Sequence, residues 1–317
     1  MKVIGVYLSG RMGNQMFQYA FAKALKMAQG GEGRLILNFK RVLRCGKKEN
    51  GFEDALQYFQ VEDYQTEKKN LVFHYGSVRQ IAWYILYLVH IKLFPRYRNA
   101  PFWFALLRKV GLCYSDYNDN RYSNFEQMFH QRVSWKSAIC SGKYENPLFF
   151  DHLRPVILKE FTPKQPPLEE NKALYDLMAQ TNSVCVSIRR GDYVSAHFKD
   201  KFYVCDEQYY VKAIELMKQK LENPVFFFFS DDIEWVKEVI KTDVTAYYEQ
   251  GGGPVWEKMR LMYSCKHFII SNSTFAWWGQ YLSRNTEKVV IAPDHWFNGQ
   301  DPSMAFLLSD NFIKIPC

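Results

Sequence analysis

The strongest chemical signal in this sequence is the arginine pair of the stretch SIRRGDYV. Arg189 and Arg190 follow an apolar run, and Gly191 and Asp192 come directly after them. A guanidinium fixed at the end of a buried strand can bind a phosphate group through parallel hydrogen bonds. The pattern therefore predicts that Arg189 contacts a phosphate and that Gly191 permits a turn. An arginine pair after a strand is also common in solvated turns, so its neighbours decide between these interpretations.

Three further polar clusters follow predicted strands at 3–8, 225–229 and 267–270. Their members are Gly10, Arg11, Gly13, Asn14 and Gln15; Ser230, Asp231 and Asp232; and Ser271, Asn272, Ser273 and Thr274. Ligands of open parallel sheets bind at the carboxyl ends of the strands, where helix N-termini bind phosphate. We therefore expect all the clusters on one sheet edge, where they would bind a nucleoside diphosphate. Helix capping alone would also explain the second and third clusters.

The second half of the chain alternates strands and helices. Strands are predicted at 184–188, 225–229, 244–247, 267–270 and 288–292. Helices are predicted near 171–180, 206–221, 232–240, 255–264 and 274–283. Continuous apolar runs such as VFFFF are typical of parallel strands that helices cover on both faces. The pattern predicts an α/β fold with a doubly wound parallel sheet.

The first half begins with a strand, a glycine-containing turn and a helix. The apolar residues of this helix recur on one face as far as Ala28. Asn14 is its predicted N-cap, and Gly30 and Gly31 are predicted to end it. Further helices are predicted in this half at 80–93, 102–110 and 153–161.

Length and composition favour a cytoplasmic globular protein of two domains. The chain has 317 residues, of which 48% are hydrophobic, and three prolines fall within 162–171. These prolines predict a linker, so we expect domains at 1–161 and 162–317. The seven cysteines show neither CxxC pairs nor metal-like spacing, which indicates reduced thiols. The apolar run at the amino terminus is too short for a signal peptide.

The net charge of +8 comes from one segment. Residues 68–115 contain eight Lys or Arg residues, eleven aromatic residues and no Asp or Glu. The apolar run 81–94 lies inside this segment and is too short to span a bilayer of about 30 Å. It is either a core helix or an interfacial helix that holds the protein at the cytoplasmic face of an anionic membrane. We predict no nucleic-acid partner.

Four stretches together resemble the signatures of the bacterial α-1,2-fucosyltransferase family. They are GRMGNQMFQYAFAKAL (10–25), IRRGDYV (188–194), FSDDIEWVKE (229–238) and SNSTFAWWGQYLS (271–283). The resemblance implies a GT-B-like fold of two facing Rossmann-like domains, the first on the acceptor side and the second binding GDP-sugar. It implies inverting transfer of fucose from GDP-fucose to the 2-hydroxyl of a terminal galactose, in surface glycan synthesis. The acceptor would be a galactose-terminated oligosaccharide, either free or lipid-linked.

The resemblance also implies roles for individual residues. Arg189 would stabilise the charge that develops on the leaving GDP, a task that divalent metals perform in other transferases. Arg190 and the three further clusters would bind GDP-fucose. Because Asp231 and Asp232 are adjacent, they lack the DxD spacing, and we expect no metal and no cofactor besides the donor substrate. Ser187 stands where the family usually has a histidine, which alters one expected nucleotide contact.

The acceptor hydroxyl needs a general base, for which the sequence offers three candidates. They are Asp192, His197 and Asp200. Asp192 would alternatively orient an arginine. Two other functions stay open. The protein would be another GDP-sugar transferase on the same fold, or a non-catalytic protein that binds glycans or nucleotide sugars. Product formation from GDP-fucose and a galactoside distinguishes these possibilities.

Overall fold

The structure is a computed structural model and describes residues 2–116 and 119–317. The chain forms two compact units, Met1–Phe161 and Thr162–Cys317, called here the N-terminal and C-terminal units. The division falls at the start of the proline-containing segment, where the sequence predicts the linker. Each unit contains one parallel sheet with helices packed on it. The expected α/β class with two Rossmann-like domains is therefore confirmed.

The N-terminal unit is built on a five-stranded parallel sheet. Its strands are β1 (Val3–Tyr7), β2 (Arg34–Asn38), β3 (Gln65–Thr66), β4 (Leu112–Tyr114) and β5 (Ser137–Ser141). Its helices are α1 (Met12–Ala28), α2 (Lys40–Gly46), α3 (Leu71–Tyr75), α4 (Val78–Leu93), α5 (Pro101–Arg108), α6 (Glu126–His130) and α7 (Arg154–Glu160). The order β3-β2-β1-β5-β4 reverses between β1 and β5. Ligands of open α/β sheets bind beside such a reversal, called the switch point.

Helix α1 confirms the predicted apolar stripe and the predicted end. Phe17, Phe21 and Leu25 lie on this stripe and are fully buried. The helix ends before Gly30 and Gly31, whose φ angles of 101° and 76° favour glycine because it has no Cβ atom. The helix is thus fixed by a buried face and a glycine stop.

The predicted N-cap of α1 is wrong. The N-cap is Arg11, whose side chain makes no capping hydrogen bond, and Asn14 lies within the first helical turn. Gly10, with a φ of 82°, turns the chain into the helix before Asn14 is reached. The side-chain amide of Asn14 instead donates a hydrogen bond to Glu145. A glycine turn therefore sets the start of this helix.

The C-terminal unit is built on a six-stranded parallel sheet. Its strands are β6 (Asn182–Ile188), β7 (Pro224–Ser230), β8 (Ala246–Tyr248), β9 (His267–Ile270), β10 (Val290–Pro293) and β11 (Ile313–Ile315). Its helices are α8 (Lys172–Gln180), α9 (Lys199–Phe202), α10 (Glu207–Lys220), α11 (Ile233–Val239), α12 (Val255–Ser264) and α13 (Thr274–Leu282). The five predicted strands and five predicted helices are confirmed. The sequence missed α9 and β11, because elements of three or four residues carry no periodic signal.

The strand order of the C-terminal sheet is β11-β10-β9-β6-β7-β8, with its switch point between β6 and β9. Central strands supply the core. Val184 and Val186 of β6 and Phe226 and Phe228 of β7 are completely buried. The ring of Phe228 also stacks on Tyr248 of β8, with ring centroids 5.0 Å apart. This rigid centre holds the carboxyl ends of β6 and β7 in fixed positions.

Candidate active site

The carboxyl edge of the C-terminal sheet brings together three of the four predicted clusters. Residues 189–192 follow β6, residues 230–232 end or follow β7, and residues 271–274 follow β9. Because β6 pairs with both β7 and β9, the three clusters are neighbours at the switch point. The cluster at 10–15 follows β1, which pairs with β2 and β5 of the other sheet. The expectation that all four clusters share one sheet edge is therefore wrong.

Arg189 is held between two carboxylates. Its Nη2 lies 2.5 Å from Oδ1 of Asp192, and its Nη1 lies 2.5 Å from Oδ2 of Asp231. Burial lowers the pKa of the Arg189 guanidinium, but the negative charges of Asp231 and Asp192 raise it by more, so the pKa lies above its usual range. The guanidinium is consequently charged and fixed in direction, as stabilisation of a developing anion requires.

Arg190 has a different set of partners. Its Nε donates to Oδ2 of Asp232 at 3.0 Å, and its guanidinium carbon lies 3.7 Å from the centre of the Trp235 ring. The backbone N–H of Arg190 donates to Oδ1 of Asp231 at 2.9 Å. The carboxylates of Asp231 and Asp232, which the sequence predicts to bind GDP-fucose, are thus each paired with an arginine.

Gly191 is required by a close approach. A Cβ atom at this position would lie 2.4 Å from Oδ2 of Asp231, well inside van der Waals contact. That oxygen is the one that binds Arg189. The sequence predicted a glycine for the turn itself, whereas the structure shows that the glycine leaves room for the carboxylate.

The cluster at 271–274 is only partly available to a ligand. Ser271 and Asn272 are buried, and the amide of Asn272 donates to the carbonyl oxygens of Phe202 and Trp296, both at 2.9 Å. The assignment of these two side chains to donor binding is therefore corrected, because they lie inside the protein. Ser273 and Thr274 are half-buried at the start of α13. The first backbone N–H groups of a helix have no intrahelical partner and bind phosphate well.

Two serines of the site lie inside secondary structure. Ser230 is buried, and its hydroxyl accepts a hydrogen bond from the backbone of Asp232 at 3.0 Å. The side chain of Asp232 accepts from the backbone N–H of Trp235, which supports the capping interpretation of this cluster. Ser187 is buried within β6, where its sheet partners are Phe229 and Ile270. The position at which the family usually has histidine is thus one residue inside the strand end.

The switch point of the N-terminal sheet holds a carboxyl group that the sequence reasoning missed. Glu145 follows β5, is 5% exposed and accepts a hydrogen bond from the amide of Asn14 at 2.8 Å. Its second carboxylate oxygen accepts none from the described part of the chain. Burial raises the pKa of Glu145 to about 7, against the lowering effects of Lys143 and Asn14. Glu145 therefore exchanges a proton near neutrality, as a general base does.

The turn before α1 bears on the remaining residues that were predicted in the 10–15 cluster. A Cβ atom at Gly10 would lie 2.2 Å from the side-chain oxygen of Asn14, so only glycine leaves Asn14 in place. Gln15 is fully buried, and its amide nitrogen donates to the carbonyl oxygens of Gly10 and Glu53. The expected contact of Gln15 with the donor is therefore wrong. Gly13 is also buried.

The side chain of Arg11 lies at the surface. Its guanidinium carbon is 4.8 Å from the centre of the Phe52 ring, and its Nη2 is 3.5 Å from Oε2 of Glu49. An exposed pair of this kind contributes little to stability. Arg11 therefore stays a candidate for ligand binding.

The three predicted base candidates differ from Glu145 in their surroundings. Asp192 is bound to Arg189, while His197 and Asp200 are exposed. Glu145 escaped notice because residues 111–152 carry no clear strand pattern, so that β5 and its carboxyl end were not predicted. Within the described residues, no three His, Cys, Asp or Glu side chains are grouped as metal ligands.

Comparison with known proteins places the chain in a family. Residues 112–312 match the model of glycosyl transferase family 11. The chain belongs to this family. The matched range includes Glu145 and the three clusters of the C-terminal unit, and the resemblance noted in the sequence is thereby confirmed.

Relatives of this family 11 glycosyltransferase are similar over different lengths. An Escherichia coli alpha-1,2-colitosyltransferase is 31% identical over 325 residues, which covers 99% of each chain. The O-antigen biosynthesis glycosyltransferase WbnK of Escherichia coli is 28% identical over 97% of this chain and 99% of its own. Galactoside alpha-(1,2)-fucosyltransferase 2 of Mus musculus is 34% identical over 53% of this chain and 49% of its own. The chain is thus a fucosyltransferase-like glycosyltransferase.

Proposed function

We propose that this glycosyltransferase moves fucose from GDP-fucose to the 2-hydroxyl of a terminal galactose, with inversion. The observation that carries the proposal is the Arg189 guanidinium, fixed by Asp192 and Asp231 at the switch point of the C-terminal sheet. The bond between the sugar and the GDP phosphate breaks, and negative charge collects on the departing diphosphate. A fixed guanidinium stabilises that charge more in the transition state than in the donor, so it accelerates the reaction.

The remaining hydrogen-bond donors of Arg189 supply this stabilisation. A guanidinium has five N–H donors, and the two carboxylate contacts of Arg189 use only two of them. Two arginines and three aspartates give this cluster a negative total charge, so its affinity for a diphosphate has to come from directed N–H groups. The start of α13 provides further N–H groups at the same sheet edge. Arg190, Ser273 and Thr274 complete the proposed donor site.

Glu145 is the proposed base for the acceptor hydroxyl. In the reaction, the acceptor oxygen forms the new bond to the sugar and its proton passes to the unbonded carboxylate oxygen of Glu145. The amide of Asn14 holds the other oxygen in place. This assignment makes the N-terminal unit the acceptor-binding unit. A base whose pKa is near the working pH combines sufficient basicity with a sufficient deprotonated fraction.

Colitose transfer is the second candidate function. It is favoured by the full-length similarity to the Escherichia coli colitosyltransferase. Colitose is fucose without its 3-hydroxyl group, so the same diphosphate and base chemistry would serve both donors. The two activities would differ only in the groups that surround the 3-position of the sugar.

A donor and acceptor screen tests the proposed function. The purified chain is incubated with GDP-fucose or GDP-colitose and a galactose-terminated oligosaccharide, and the product linkage and anomeric configuration are determined by NMR. We expect an α-1,2-linked fucosyl galactoside, with Arg189→Ala as the inactive control. A colitosyl product alone would select the second candidate. Binding of GDP-fucose without any product would indicate the non-catalytic alternative.

The chain's proposed role is surface glycan synthesis at the cytoplasmic face of the membrane. The similarity to WbnK, named for O-antigen biosynthesis, supports this setting. The acceptor would then be a galactose-terminated oligosaccharide carried on a lipid. Lipid-linked and free oligosaccharides with the same terminal galactose should be compared as acceptors, because equal kcat/KM values would argue against recognition of the lipid-linked form.

A further inference from the structure

Helix α4 is apolar on two opposite faces. On its inner face Tyr87 is buried and packs against Trp103 and Tyr114, with ring centroids 5.8 Å and 6.0 Å apart. Of the 16 residues of α4, only Gln80 and Tyr87 are buried. The core interpretation of this segment is therefore correct for one face of the helix. The opposite face needs a separate explanation.

The outer face of α4 carries a stripe of exposed aliphatic side chains. Its members and their exposed fractions are Val78 at 85%, Ile85 at 46%, Leu86 at 55%, Val89 at 52% and Leu93 at 66%. Their spacing of i, i+7, i+8, i+11 and i+15 places them within about 100° of helix circumference. We call these five residues the outer stripe. Phe94, Tyr97 and Phe102 extend the exposed apolar surface beyond the helix end.

Helix α10 of the C-terminal unit shows what an ordinary surface helix of this protein looks like. It has 14 residues, packs on β9, β10 and β11, and exposes mainly Glu, Gln and Lys residues. Val211 is the only large aliphatic residue of α10 with more than a third of its surface exposed. Soluble proteins rarely leave contiguous apolar patches in water, so the outer stripe marks an interaction surface.

Basic residues border the outer stripe. Arg79 and Lys92 lie on α4 at the two margins of the stripe and are exposed, as are Arg96, Arg98 and Lys109 nearby in the chain. Arg108 is different, because it is buried and paired with Asp119. The segment 68–115 contains no acidic residue that could neutralise this surface.

We propose that the outer stripe docks on the surface of an anionic lipid bilayer. The helix would lie in the plane of the interface, with its aliphatic residues among the acyl chains and its basic margins at the phosphate groups. Among the described residues no helix is long and apolar enough to cross a membrane. A second copy of this chain fits less well, because a symmetric pairing of this face sets basic margins against each other. This surface is independent of the donor and base assignments.

Vesicle co-sedimentation of the full chain tests the proposal. The wild type should pellet with phosphatidylglycerol–phosphatidylcholine vesicles at low salt, less at high salt, and not with pure phosphatidylcholine. The variant Ile85→Gln/Val89→Gln/Leu93→Gln should lose at least about tenfold in binding. Replacing Lys92, Arg96, Arg98 and Lys109 by Ser should weaken binding by about six hundredfold, since each of the four basic residues near an anionic surface contributes a factor of about five.

Two matched controls keep the result interpretable. The variant Val211→Gln alters the exposed apolar residue of α10. Replacing Lys164, Lys172, Lys212 and Lys220 by Ser removes four positive charges, the same number, from the C-terminal unit. Both should bind vesicles almost as the wild type does. All replaced residues are exposed, so thermal melting should show that each variant is folded like the wild type.

Three results would overturn the proposal. The first is a wild type that fails to pellet with anionic vesicles, and the second is an Ile85→Gln/Val89→Gln/Leu93→Gln variant that binds as well as the wild type. The third is a charge control in the C-terminal unit that loses as much binding as the variant in which Lys92, Arg96, Arg98 and Lys109 are replaced. Light scattering of the protein without lipid tests whether a second copy of this chain binds the outer stripe. A wild-type dimer that the aliphatic variant converts to a monomer would assign the stripe to self-association instead.

Discussion

The two sheets of this protein place different ionisable groups at the same topological position. Each sheet has a switch point, between β1 and β5 in one unit and between β6 and β9 in the other. The C-terminal switch point presents arginines that are held by aspartates. The N-terminal one presents a single glutamate that is held by an amide. The same sheet topology thus carries a paired guanidinium in one unit and a buried carboxyl group in the other.

Burial explains why the two sites differ in protonation. The side chains of Arg189, Asp192 and Asp231 are 24%, 35% and 28% exposed, and the two aspartates raise the pKa of the Arg189 guanidinium above its usual range. Glu145 is 5% exposed and has a neutral amide as its hydrogen-bond partner. Desolvation without close ion pairing favours the uncharged carboxyl group. One site therefore holds a charged guanidinium, whereas the other holds a carboxyl group whose pKa burial raises to about 7.

Replacing Arg189 should produce the largest effect. Arg189→Ala should lower kcat by about a hundredfold to a thousandfold, because the leaving diphosphate loses its fixed donor. Arg189→Lys should recover little, since a lysine lacks the guanidinium fork. Steady-state kinetics and a thermal melt of each variant check this. Wild-type turnover in a folded Arg189→Ala protein would remove Arg189 from the mechanism.

Replacing Glu145 should lower kcat by about a hundredfold, the usual contribution of a general base. The wild-type kcat/KM should rise with pH through about 7 and level off above it, because the pKa of Glu145 is raised to about 7 and only the ionised form accepts a proton. In Glu145→Gln this rise should disappear. If the variant keeps the wild-type pH profile, another group is the base.

The same substitution should stabilise the protein at high pH. The folded pKa of Glu145 lies above its ordinary value of 4.5, so the folded state loses stability as the pH rises from about 4.5 through 7. Glu145→Gln should remove this loss and gain at most about 3 kcal/mol above pH 7. Glu257 is the matched control, because it is buried but paired with Arg260 at 2.8 Å. Glu257→Gln should destabilise, and equal shifts in both melting temperatures would contradict the contrast.

Weakening the contact between Arg189 and Asp231 should have a smaller effect on kcat. Gly191→Ala places a Cβ atom against Oδ2 of Asp231, and Asp231→Asn weakens the same contact. Each should lower kcat by about tenfold. Because both act on one interaction, the double variant should be no worse than the poorer single variant. Additive losses would show that Gly191 and Asp231 act separately.

A chelator should have the smallest effect. The developing charge is assigned to Arg189, and the described residues contain no group of candidate metal ligands. Activity should therefore stay unchanged after incubation with EDTA and removal of the chelator. Loss of activity that Mg²⁺ or Mn²⁺ restores would mean that a metal, together with the aspartates, handles the leaving group.

The sequence predicted most of the fold because strand and helix periods are local properties. The run 225–229 is apolar throughout and 184–188 is apolar except for Ser187, and β6 and β7 were found where expected. The sequence did not show which sheet a strand joins. The cluster after β1 was therefore expected beside those after β6 and β9, although β1 pairs with β2 and β5.

Side-chain direction limited the prediction of the site. The sequence identified Gln15 and Asn272 as polar residues after strands, but it could not show that their amides turn inward to backbone carbonyls. It identified Asp231 as a site residue but could not show that its carboxylate pairs with Arg189. Glu145 acquires its raised pKa from burial, and its carboxylate is oriented by Asn14, 131 residues away in the chain. Such properties arise only when distant segments are packed together.

The strands at the edges of both sheets are short. Among the described residues, β3 has two residues and β4, β8 and β11 have three each, whereas β1 and β6 have five and seven. An open sheet edge is a template on which another extended chain can pair, and short edges with exposed lysines such as Lys314 oppose this. Extended peptides consequently find little backbone to pair with at these edges. Concentrated solutions of the folded protein should therefore resist aggregation by pairing of edge strands between molecules.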